Sequence, residues 1–204
     1  MAEAGGRGAL VTPDRALARL VAGELDRWGL VPDDSAGRPL GLTPPGILLR
    51  LLARGMGEAL TPAALLGILK HPLVASAPGA RRRHLALTAR LEVERLRGGP
   101  PAVDGALLAG WAGDAEAQAW AGWLTEALAP LAGAGEAVLA GHAALLRRAA
   151  ETLAAGPGGA AGHGLWDKAA GMAAEAVLAG LEAEPEVFGP MRPGEFAALI
   201  EREI

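Results

Sequence analysis

Apolar side chains recur every three or four positions through most of this chain, and that spacing places them on one face of an α-helix. Near the start, one such face collects Leu17, Leu20, Val21, Leu25 and Trp28. The preceding residues 9–12 instead form a short apolar run that ends in a turn. The pattern predicts a buried strand, a helix that ends at Gly29, and a second extended segment up to residue 40.

Three helices are predicted to begin at a Thr-Pro pair: Thr12-Pro13, Thr43-Pro44 and Thr61-Pro62. The threonine hydroxyl can accept a hydrogen bond from a free N–H group of the first turn, and proline suits the first helical position. Further helices are predicted over residues 81–97, 104–108, 114–130, 135–153, 165–181 and 193–204. The chain is therefore predicted to be mainly α-helical after one strand–helix–extended segment.

The opening strand has no predicted partner, because the rest of the chain is predicted to be almost wholly helical. Half of an α/β layer cannot bury the edges of its own sheet. We therefore expect the chain to be part of a larger protein, in which this strand joins a sheet built from other segments.

Composition narrows the class of protein. Hydrophobic residues make up 51% of the chain, which excludes intrinsic disorder as its main state, and the net charge of −4 is unlike that of a free-standing nucleic-acid binder. The absence of cysteine excludes disulfides, iron–sulfur clusters and thiolate metal ligands, and agrees with a reducing cytoplasm. No signal peptide or membrane span is predicted, so a cytoplasmic location and no membrane partner are expected.

Two places could contact phosphate groups. The turn from Thr12 to Arg15 offers free N–H groups and a guanidinium at a helix N-terminus, where an anion is favoured; the alternative is a plain cap with a solvated arginine. Arg81, Arg82 and Arg83 open another helix, where cations oppose the helix dipole. A DNA or RNA phosphate would compensate for that repulsion, and the alternative is a solvated, frayed helix start.

No pattern of catalytic or metal-binding residues stands out. The chain lacks a P-loop and a dinucleotide-binding glycine motif, and serine occurs only at residues 35 and 76. The four histidines, which lack the spacing of a helical metal pair, are His71, His84, His142 and His163. Trp120 is predicted to lie in the core, whereas Trp111 and Trp123 are left open between core packing and base stacking. No catalytic residue and no metal site are predicted.

Four segments carry a resemblance to a known family: ALVTPDRALARLVAGELDRWGL (9–30), DDSAGRPL (33–40), LTPPGILLRLL (42–52) and LLGILKHPL (65–73). Together they resemble the middle of the AddB family, the second subunit of bacterial AddAB helicase–nucleases, in its alphaproteobacterial form. The resemblance is specific over residues 9–75. It continues as weaker similarity in GHGLWDKAAG (162–171) and PGEFAALIE (193–201).

This resemblance implies a division of the chain into three parts. Residues 1–42 would begin the second RecA-like (2A-like) domain of a helicase, including motif IV; residues 43–190 would form a helical 2B-like insertion; and residues 191–204 would lead back toward the rest of the domain. Motor-competent relatives place an arginine near the nucleotide phosphates just after the motif IV strand. Here Thr12 and Pro13 occupy that place, and Arg15 is the nearest arginine.

The resemblance also implies a function. The chain would be a non-catalytic fragment of an AddB subunit, in an ATP-dependent DNA helicase and exonuclease that serves homologous recombination and double-strand break repair. It would scaffold the subunit and bind the AddA subunit, with contact to the DNA backbone as a further role. ATP, Mg and an iron–sulfur cluster would belong to the parent complex and none to this fragment. The alternative is a self-contained helical protein-interaction module or small regulator.

Overall fold

The computed structural model describes residues 8–30, 32–33, 37, 39–77, 79–159, 164–184 and 189–204. The chain divides into two compact units, residues 1–38 and residues 39–204. Helix α1 (Arg15–Arg27) lies in the first unit, and all later helices lie in the second. The predicted mainly helical architecture is confirmed.

The predicted strand at residues 9–12 is not formed. Residues 8–12 have no regular secondary structure, and no β-sheet occurs within the described ranges. A strand requires a neighbouring strand to pair its backbone N–H and C=O groups. Leu10 and Val11 are 55% and 93% exposed, so the described part of this chain does not bury the segment. The second extended segment includes residues 31, 34–36 and 38, which lie outside the described residues.

The second unit contains helices of seven to 18 residues. Their bounds are α2 (Pro44–Arg54), α3 (Pro62–Leu69), α4 (Ala80–Leu91), α5 (Gly105–Trp111), α6 (Ala115–Ala132), α7 (Leu139–Ala155), α8 (Lys168–Ala183) and α9 (Pro193–Glu203). A 3-10 turn (Leu40–Leu42) precedes α2, and a π-helical segment (Glu92–Leu96) extends α4. The predicted caps are confirmed at Thr43, which accepts from Gly46 N–H, and at Thr61, which accepts from Ala64 N–H.

Helix α7 is central to the second unit, because it packs against α2, α6, α8 and α9. The largest fully buried side chains include Trp120, Phe196, Leu48, Leu124 and Leu153. No helix in the described part of the chain combines the length and apolar character needed to cross a bilayer.

Helix α9 closes this core by packing on α2. Phe196 and Ile200 are fully buried, and Gly41 N–H donates to the carbonyl of Ile204 at 2.6 Å. Glu201 forms ion pairs with the guanidinium groups of Arg50 and Arg54. Residues 191–204 are thus packed within the second unit, which begins at residue 39, and the predicted division at residues 42 and 190 stays a prediction.

Candidate functional site

The start of α1 is capped by Asp14. Its carboxylate accepts hydrogen bonds from the N–H groups of Ala16 (2.8 Å) and Leu17 (3.2 Å), while Thr12 Oγ1 accepts one from the N–H of Asp14 (3.1 Å). The prediction that Thr12 caps this helix is wrong, because the aspartate reaches the same N–H groups with a negative charge. A phosphate at this turn would face that carboxylate. Contact by Thr12 and the exposed Arg15 stays a prediction.

Helix α1 presents an uncovered apolar surface, here named the α1 apolar face and formed by Leu17, Leu20, Val21, Leu25 and Trp28. None of the residues of this fully described helix is buried. Leu20 and Trp28 are 70% and 76% exposed. A contiguous exposed apolar surface on a soluble protein is typical of an interaction site.

Glu24 borders the α1 apolar face, beside Leu20 and Trp28. The Glu24 carboxylate is paired with Arg27 at 2.9 Å, one turn along the same helix. A partner on this face would therefore meet an apolar strip with one charged pair at its edge.

Arg81 holds a loop in place. Its guanidinium donates to the carbonyl of Lys70 (2.8 Å), at the end of α3, and to the carbonyl of Val74 (2.7 Å), in the turn that follows. Partial burial lowers the pKa of Arg81 from its usual range. Because two of its donor atoms serve the fold, Arg81 is the weakest candidate of the three predicted DNA-contacting arginines.

Arg82 and Arg83 remain exposed on the first turn of α4. The N-cap of this helix is Gly79, which has no side chain to accept a hydrogen bond from the first turn. Two cations therefore lie beside a helix N-terminus that carries no side-chain cap. Phosphate contact by these two residues stays a prediction, and they are the residues on which to test it.

His84 is a buried structural residue. Its Nε2–H donates to the carbonyl of Leu69 at 2.6 Å, and its Nδ1 accepts from the indole N–H of Trp120 at 3.0 Å. A carbonyl can only accept and an indole N–H can only donate, so these partners fix the neutral tautomer. Burial lowers the pKa of His84, and the positive charge of Arg81 adds to that effect.

His71 is held in a similar way at the end of α3. The N–H of Leu73 donates to its Nδ1 at 3.3 Å. Burial, with a smaller contribution from the charge of Arg81, lowers the pKa of His71 to about 4. The imidazole is therefore neutral at physiological pH, and both buried histidines near Arg81 serve packing.

His142 packs at a helix–helix contact. Its ring stacks on Phe196 of α9 with the ring centroids 5.2 Å apart, and its Nε2–H donates to the carbonyl of Met191 at 2.9 Å. His163 lies outside the described residues. Within the described ranges, no group of three or more His, Asp or Glu side chains could hold a metal ion.

Trp111, Trp120 and Trp123 are core residues. The predicted core position of Trp120 is confirmed, since it is 1% exposed. Trp111 and Trp123 are 6% and 8% exposed, so the structure places them in the core as well. The indole N–H of Trp111 donates to Glu94, and that of Trp123 donates to the carbonyl of Thr152. None of these three rings is presented for stacking with a nucleic-acid base.

Comparisons with protein-family models, curated proteins and solved structures find no match to this chain. The functional interpretation therefore depends on the residues described above and on the sequence resemblance.

Sequence reasoning missed the packing role of Arg147, a residue in the middle of α7. Its guanidinium lies 2.7 Å from Glu182 and 5.5 Å from the ring centre of Trp166. Glu151 and Glu175 lie within 4 Å, and together these carboxylates raise its pKa. An arginine on a helix carries no sequence signal for such a network, because the acidic partners come mostly from α8.

Proposed function

We propose that this chain is a non-catalytic scaffold within an AddB-type subunit of a helicase–nuclease for recombinational DNA repair. The observation that carries the proposal is the α1 apolar face, which lies in the segment with the most specific resemblance. An amphipathic helix with no buried residue is expected in a chain whose covering partner is another part of an assembly.

In this proposal the two units have different roles. Residues 9–30 belong to a RecA-like layer, and the rest of the assembly covers Leu20 and Trp28. Residues 39–204 supply a helical 2B-like insertion that folds around its own core. The chain contributes binding surface and no reacting group, and AddA is its expected protein partner.

The cofactors of such a complex would be bound elsewhere in it. The chain has no cysteine, so it offers no thiolate for an iron–sulfur cluster. In its described part, no cluster of acidic or histidine side chains has the number of ligands that a metal ion requires. In this proposal ATP, Mg and the cluster belong to other segments of the parent complex, and we derive no step through them.

The test is complex formation between the complete gene product and AddA from the same organism, measured by light scattering after gel filtration. We expect a stoichiometric complex in which the amides of residues 15–28 gain protection from hydrogen exchange. Trp28→Asp should weaken the assembly at least tenfold, because buried tryptophans at interfaces contribute about 2 kcal/mol or more.

Arg19→Ala is the matched control, because Arg19 is exposed on α1 and lies outside the α1 apolar face. It should leave the affinity unchanged. Absence of a complex with AddA, or a complex in which the amides of residues 15–28 stay unprotected, would contradict the proposal.

A second candidate is a self-contained helical interaction module. One observation favours it: the second unit has a continuous core that α9 closes on α2, with Phe196 fully buried. In that case α1 would bind a partner unrelated to helicases. The same measurement separates the two, because this module would show no affinity for AddA.

A further inference from the structure

An apolar cleft of about 160 Å³ opens between α3, α5 and α6. Its walls are supplied mainly by Leu60, Leu65, Val103, Leu108 and Leu128. The N–H of Val103 donates to the carbonyl of Leu60 at 2.8 Å, and this bridge fixes the segments that lead into α3 and α5. The walls of the cleft are thus held by backbone pairing as well as by packing.

One charged side chain lines this cleft, the exposed Asp104 at the N-cap of α5. Its Oδ1 accepts from the N–H of Leu107 at 2.8 Å. Asp114 caps α6 in the same way, but its second oxygen also accepts from Arg90 at 3.0 Å. Among the described residues, no ion pair of this kind is formed by Asp104, and no lysine or arginine lines the cleft.

The size of the cleft restricts what it can hold. Its volume is close to that of engineered apolar cavities of about 150 Å³, which admit a single benzene ring. A helix or strand of a partner needs a longer groove, since its anchoring side chains are spaced along several turns. Apolar walls favour an apolar body, and the exposed Asp104 in the lining favours a positive charge on it.

We propose that this cleft binds a small apolar organic cation: a primary amine that carries one ring-sized apolar group. The ring lies between Leu108 and Leu128, and the ammonium group lies at the Asp104 carboxylate. This inference is independent of the proposed function, since it depends only on residues 59–132.

The experiment uses benzylamine as the probe and benzyl alcohol as its neutral analogue, with amide chemical shifts of the whole chain as the measurement. We expect saturable shifts at Leu65, Leu108 and Leu128 in the millimolar range, as befits a ligand of few atoms. Asp104→Asn keeps a good N-cap and removes the charge. This substitution should weaken the binding of benzylamine by about threefold to fivefold and change the affinity for benzyl alcohol by less than about twofold.

Ala129→Leu tests the location of the ring. Ala129 lines the cleft and is exposed, so a leucine is tolerated there and fills the space. It should weaken both probes at least tenfold while the helical circular dichroism stays unchanged. The proposal is overturned if the shifts do not map to the cleft, if this variant binds normally, or if Asp104→Asn affects both probes equally.

Discussion

Helices α1 and α9 are both short and amphipathic, with 13 and 11 residues, yet they differ in what covers their apolar sides. Helix α9 buries Phe196 and Ile200 completely. Helix α1 buries nothing, and Trp28 beside it is 76% exposed. The periodic pattern therefore identifies which face of a helix is meant to be covered, and it does not identify the covering surface.

The difference extends to the polar contacts of the two helices. Glu201 of α9 meets Arg50 and Arg54 of α2, two arginines far away in sequence. Glu24 of α1 meets Arg27 of the same helix, with both side chains more than 60% exposed. Exposed pairs within one helix contribute little to stability, so tertiary contacts support α9 far more than α1.

The largest expected effect comes from making the same change, leucine to alanine, once in each unit. Leu153→Ala removes a fully buried side chain from α7 and should lower the free energy of unfolding by about 2–5 kcal/mol. Leu20→Ala removes a side chain that is 70% exposed and should change it by less than about 0.5 kcal/mol. Urea denaturation followed by circular dichroism measures both. A Leu20→Ala cost similar to that of Leu153→Ala would show that the α1 apolar face is covered in solution.

A smaller effect should come from pH, and in the second unit only. His71 has a pKa of about 4 in the folded chain and near 6.5 when unfolded, so between these values only the unfolded chain binds the proton. The contribution of neutral His71 to the free energy of unfolding is therefore fully present above pH 6.5 and is lost as the pH falls toward 4. From pH 7.5 to 5 the loss from His71 should be about 2 kcal/mol, measured by urea denaturation.

His71→Gln is the control, because glutamine keeps hydrogen-bonding atoms and does not titrate. Its loss of stability over the same pH range should be smaller, with the remainder due to His84, whose pKa is also lowered. Residues 1–38 contain no histidine, so hydrogen exchange at α1 should show no matching change after correction for intrinsic rates. Equal pH dependence of the variant and the parent would contradict the role given to His71.

The smallest expected effect concerns DNA, for which each unit offers arginines. Replacing Arg82 and Arg83 by glutamine should weaken DNA binding at low salt several-fold and lower the slope of log affinity against log salt by about 2. Arg15→Gln should change neither, because Asp14 places a carboxylate on the same helix turn. Fluorescence anisotropy with a labelled duplex measures both. A larger effect at Arg15 would reverse this ranking of the two predicted phosphate contacts.

Several features of the fold could be predicted from sequence because their causes are local. Thr43 and Thr61 cap the helices that follow them, and Trp120 lies on the apolar line of α6 and is buried. The sequence predicts the cap of α1 at Thr12, whereas Asp14 forms it, since two acceptors two residues apart compete for the N–H groups of the first turn. The prediction of a strand at residues 9–12 is wrong, because an apolar run forms a strand only where another strand pairs with it.

The sequence by itself determined where α2 and α3 begin, which helix faces are apolar, and that no cysteine chemistry is possible. Only the tertiary structure decided that Arg81 donates to the carbonyls of Lys70 and Val74, and that Asp104 lines an apolar cleft. The physical reason is the range of the interactions. Capping and helical periodicity act within one or two turns, whereas ion pairs and clefts require residues that folding brings together from distant parts of the chain.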